Sequence, residues 1–152
     1  MTTLVSSRYA GTDLDFLKAK VDRSGANRAE YFTLSVTSGS TVGTLLKLVP
    51  FQKGARFIQG ASQFHVADLT TAASLTLDFG YTYNSTALTS DPDAFATALT
   101  TGQAGGLITF DEHAGLDWVA TADGWITATV GGGPTSTTGA LKGQAVLSYD
   151  SI

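Results

Sequence analysis

The chain has no cysteine among its 152 residues. This removes disulfide scaffolds, thiolate zinc sites and cysteine nucleophiles together, and leaves packing or assembly to supply stability. Charge is scarce as well, at 14% of residues, and there are only 3 prolines. No apolar run approaches the ~18 uninterrupted residues of a membrane span, so a transmembrane protein is excluded. The first residues lack the basic start and apolar stretch of a secretory signal. What is present is a hydrophobic fraction of 43%, 17 glycines and a wealth of hydroxyls, 23 Thr and 13 Ser. Threonine suits strands and makes their outer faces polar without charge. The sequence therefore describes one compact, β-rich domain with no evident catalytic signature.

The net charge of −4 disfavours nucleic acid as a partner, because phosphate-dominated binding needs a basic face. The average conceals a division. Residues 1–56 carry eight of the nine basic side chains against four acids, and residues 57–152 carry nine acids against Lys142. Either the two ends of the molecule face different surroundings, or the fold brings them together and neutralises them.

Residues 1–28 show no lasting periodicity and read as an N-terminal arm, with residues 29–152 as the β domain. Within the arm, Asp13 to Val21 suits about two turns of helix, marginal unless docked on a partner. From Tyr31 the pattern turns to period two, with Phe32, Leu34 and Val36 alternating with Thr33, Ser35 and Thr37. Residues 44–51 predict a second strand, with Pro50 at its end or on a sheet edge. Residues 55–67 predict one long strand bent or bulged at Gly60, and Leu75 to Tyr83 the cleanest strand of the chain. Asp91-Pro92-Asp93 predicts a helix over residues 91–99, because aspartate caps and proline suits the first turn. A short strand over 107–110, a flexible exposed loop over 131–138 and a closing strand over 140–149 complete the pattern. About eight strands and one short helix predict an all-β fold, a jelly-roll-like antiparallel β-sandwich with an extended N-terminal arm.

Motifs for chemistry are weak. The glycines at 105–106 and 131–133 lack the strand, lysine and helix context of a phosphate loop. His65 and the Asp111-Glu112-His113 group lack metal-site spacing, so no metal and no cofactor is expected. No carboxylate pair stands apart as acid and base, which leaves a glycan-degrading enzyme without an argument. The informative feature is Asp123-Gly124, a strong two-residue hairpin signal between residues 117–122 and 125–130. That hairpin would place Trp118, Ala120, Ala122 and Trp125 on one face and Val119, Ile126, Ala128 and Val130 on the other. With the aliphatic face in the core, Trp118 and Trp125 project outward as a subunit interface. Two alternatives stand beside this one: tryptophans in the core with the arm over the aliphatic face, and a sugar-stacking platform.

The order of FQKGARFIQG (Phe51 to Gly60), LTLDFGY (Leu75 to Tyr81), DPDAFATA (Asp91 to Ala98) and the Thr/Ala/Gly-rich closing strands resembles the capsid decoration, or cement, proteins of tailed bacteriophages. The resemblance spans about 100 residues, from Leu45 to the C-terminus. It implies a jelly roll, a homotrimer at a symmetry axis of the shell, the major capsid protein as partner and a place on the outer surface of the virion. In that setting Arg8, Lys18, Lys20, Arg23 and Arg28, beside Leu14, Phe16 and Leu17, form an arm suited to an acidic shell surface, ordering on contact. A carbohydrate-binding or host-adhesion domain of a phage fibre, stacking Trp118, Trp125 and Tyr81 on a surface glycan, is the rival expectation.

Overall fold

Period-two alternation generates the architecture. In the computed structural model, which describes residues 3–5 and 27–149, ten strands form two sheets with no α-helix among the described residues. The strands are β1 (Thr3–Val5), β2 (Asn27–Val36), β3 (Leu45–Phe51), β4 (Ala55–Phe57), β5 (Gln63–Val66), β6 (Thr76–Tyr83), β7 (Asp91–Leu99), β8 (Gly106–Ile108), β9 (Gly124–Gly131) and β10 (Gly139–Tyr149). Sheet I has the order β1-β3-β9-β6-β7, and sheet II the order β2-β10-β5-β8 with β4 also on β10. Every connection from β2 onward changes sheet except β4 to β5 and β6 to β7. This is the interleaving of a jelly roll, in which neither sheet is contiguous in sequence. The pairings within sheet II and those of β3, β9, β6 and β7 are antiparallel, whereas β1 adds to β3 in parallel.

Alternation places each residue. In β2, Phe32, Leu34 and Val36 are buried while Tyr31, Thr33 and Ser35 face solvent, as the sequence pattern predicts. The two sheets meet through aromatic rings. Phe64 of β5 contacts Phe32 at 4.7 Å, Phe110 at 4.9 Å and, across the sandwich, Phe79 at 5.9 Å between ring centres. Most are edge-to-face contacts, the arrangement the ring quadrupole favours. Pro50 lies beyond the reach of β1, which pairs only with Leu45 to Lys47, so its missing N–H falls on an open edge. The single strand expected over residues 55–67 is two: instead of a bend or bulge at Gly60, a 3-10 turn over Gln59–Ala61 separates β4 from β5.

Three further expectations are corrected. Residues 91–99 are a strand and not a helix. Two turns of helix are marginal in isolation, whereas the strand pairs with β6 and buries Phe95 against Phe57 at 4.6 Å and Trp118 at 5.5 Å. Its register slips twice, once where Tyr81 faces Asp91 and Phe79 faces Ala96, and again before Leu99. Gly80 permits the first slip, since a Cβ there would lie 2.1 Å from the carbonyl oxygen of Asp91. At the second, Ala98 takes φ 50° and its N–H donates to the Asp78 carboxylate at 2.6 Å.

The Asp123-Gly124 hairpin is absent. β9 is central, bonded to β3 on one side and β6 on the other, so residues 117–122 have no free edge of it to pair with. They run instead beside the turn before β4, where Ala120 exchanges hydrogen bonds with Gly54 and Ala55 at 2.7 and 2.8 Å. Residues 131–138 are tethered rather than flexible. Thr135 is buried; its hydroxyl donates to the Thr37 carbonyl at 2.8 Å and accepts from the Ser40 N–H at 2.9 Å. The Ser136 hydroxyl accepts from the Thr71 N–H at 2.8 Å.

Because Phe64 touches rings from both sheets, Phe64→Ala is expected to cost about 3–5 kcal/mol of unfolding free energy. Thr33→Ala, on the solvent side of the same sheet, should stay within about 0.5 kcal/mol. Denaturant melts of the two variants check the contrast.

Candidate interaction surface

The arm residues Arg8, Leu14, Phe16, Leu17, Lys18, Lys20 and Arg23 lie outside the described residues. Arg28 stands inside β2, opposite Leu147 of β10, and its guanidinium pairs with the carboxylate of Glu30. Glu30 is inward-facing and only 4% exposed. A carboxylate taken out of water at such a position requires a cation and hydrogen bonds, so Arg28 is committed to the body of the domain.

Trp118 and Trp125 do not form an outward pair. Trp118 is 9% exposed, stacked on Tyr81 at 4.8 Å with ring planes at 27°, and edge-on to Phe51 at 5.0 Å. Trp125 occupies the face of β9 opposite to Ile126 and is 2% exposed, with Lys47 Nζ 5.3 Å from the ring centre. The subunit-interface and sugar-platform expectations for these residues both required exposed indoles. They fail because the hairpin that would have presented them does not form.

At the start of β7, burial and hydrogen bonding to Asp93 push the Asp91 carboxyl above the ordinary carboxylate value. Burial, with Tyr83 and Asp91 nearby, raises the Tyr81 phenol in the same direction. The described residues contain no group of three or more His, Cys, Asp or Glu side chains able to hold a metal ion.

The surface the fold does offer is the outer face of sheet II. Thr33, Lys142, His65 and Leu107 form one row across β2, β10, β5 and β8, and Tyr31, Gln144 and Gln63 the next. Tyr31 is 57% and Leu107 60% exposed. Tyr31 was legible in sequence as the outward phase of the β2 alternation. Leu107 was not, since a three-residue strand carries no period.

No protein-family model and no curated protein sequence matches the chain. Its fold is that of bacteriophage capsid chains. A chain from the capsid of Ralstonia phage GP4 superposes with a TM-score of 0.69 at 20% identity, covering 86% of this chain and 89% of that one. A chain from the capsid asymmetric unit of cyanophage Pam1 superposes with a TM-score of 0.62 at 19% identity, covering 84% and 86%. At this level of identity the shared property is the sandwich itself.

The raised Asp91 value fixes a sign. A carboxyl whose folded value exceeds its unfolded one stabilises the fold while protonated, and that contribution is lost as pH rises from the ordinary carboxylate value through the folded one. Asp91→Asn is therefore expected to raise the melting temperature at neutral pH and to make little difference in acid. A variant that melts lower than the parent at neutral pH would contradict this.

Proposed function

We propose that the protein is a non-enzymatic structural component of a bacteriophage virion that binds the outside of the capsid and cements adjacent capsomers. The observation that carries this reading is the superposition on the Ralstonia phage GP4 capsid chain, which extends over nearly the whole of both chains. The cyanophage Pam1 likeness supports it independently. A shell under internal pressure is stabilised by anything that binds the assembled state in preference to its parts. A jelly roll fits that task, because its short bulged edges resist open-ended sheet growth while its faces remain available for contact.

In this reading the cationic arm, with Arg8, Lys18, Lys20 and Arg23, docks on an acidic surface of the major capsid protein, and the acidic body faces outward. The protein acts as a homotrimer, so that one unit grips several capsomers and binding gains from multivalency. The fibre-adhesion alternative loses its support with the burial of both tryptophans.

The test uses purified particles. Capsids stripped of the chain should disrupt at lower temperature than complete ones, and adding it back should restore them. A chain with Arg8, Lys18, Lys20 and Arg23 all replaced by Glu, which keeps β1 (Thr3–Val5) on β3, should fold but fail to decorate. Stripped particles as heat-resistant as complete ones would overturn the cementing role, and full decoration by the charge-reversed chain would remove the arm from it.

A further inference from the structure

The chain presents two exposed surfaces of opposite character. On the outer face of sheet II, no described strand residue contributes a carboxylate, although the chain as a whole is acidic. Near its middle is a shallow depression of about 390 Å³ lined by Tyr31, Thr33, Gln63, Lys142 and Gln144. Lys142 is exposed at its rim, and Leu107 lies two strands away in the same row. Exposed tyrosine and leucine beside an exposed cation make a surface of the composition found at protein contacts.

The second surface is the 3-10 turn His113–Leu116 with its flanks. Leu116 is 61% exposed, and Asp111 and Asp117 beside it are exposed too. The turn is held firmly. The Glu112 N–H donates to the Phe95 carbonyl at 3.3 Å, and Gln59 Nε2 donates to the Glu112 carbonyl at 3.3 Å. Gly115 packs so closely that a Cβ would lie 2.2 Å from Gln59 Nε2 and 2.6 Å from the Phe95 ring. An apolar tip between two acids, fixed in advance on the body, loses little freedom on binding.

We propose that these surfaces meet between copies: the Asp111–Asp117 turn of one copy seats Leu116 in the depression beside Tyr31 of the next, with Asp117 facing Lys142. The occupant is a second copy because the acidic counterpart of this acid-free face is on the chain itself, on a turn clamped to its own body. Two different patches joined head to tail close into a ring when the rotation permits. This inference rests on the reading of the protein as a self-associating shell component and assigns that association its contact.

Light scattering coupled to size exclusion tests it on the full chain without particles. The parent should elute as an oligomer. Lys142→Glu and Leu116→Ser should each weaken association about tenfold or more. Lys142→Glu combined with Asp117→Lys should restore it, since each copy then offers the reversed charges to the next. All three substitutions are at exposed positions, and circular dichroism confirms that the variants fold. An oligomeric parent whose single variants assemble unchanged, or a double variant that stays monomeric, would overturn this contact alone. A parent that is monomeric at all concentrations would overturn self-association itself.

Discussion

The structure depends on the aromatic seam between two sheets that sequence never makes contiguous. Phe64, Phe79 and Phe110 meet at its centre, and Phe57 extends it to Phe95 and, through that ring, to Trp118, Tyr81 and Phe51. With no disulfide and no metal cluster among the described residues, this seam does what covalent staples do in smaller secreted folds. It also explains why strands as irregular as β7 persist. A strand with two register slips and a left-handed alanine forms a poor ladder, but it delivers Phe95 to the seam.

The seam divides the labour of the two sheets. Sheet I is buried at Trp125 and Thr127 even on the face turned away from the sandwich interior, whereas sheet II leaves its outer face to solvent. A molecule built this way leaves the outer face of sheet II open to neighbours and has edges that resist further pairing. Pro50 and Pro92 lie in the edge regions of sheet I, and the bulges of β7 twist that edge out of register. These features limit open-ended sheet growth from the edges of the sandwich.

Much of this was legible in the sequence. The alternation of Phe32, Leu34 and Val36, and of Leu77 and Phe79, reports a half-buried strand directly. The failures share one cause. Asp91-Pro92-Asp93 is a good local helix start and Asp123-Gly124 a good local hairpin, but both were overruled by pairing partners far away in sequence. Gly124 is needed for close approach, since a Cβ there would lie 2.3 Å from the Thr82 carbonyl. The 131–138 loop looked free because hydroxyl hydrogen bonds to Thr37, Ser40 and Thr71 leave no periodic trace. For the interaction surface, the phase of β2 exposed Tyr31 in advance. Leu116 has no such signal, because its presentation depends on Gly115 wedged against Gln59 and Phe95, residues distant in sequence.

A cryo-electron microscopy reconstruction of the intact phage particle bears most directly on the central claim. The proposed cementing role predicts a sandwich of this shape on the outer surface of the shell, repeated with the shell's symmetry and touching more than one capsomer. Density for it confined to the tail or a fibre, or a complete shell with none of it, would contradict that claim.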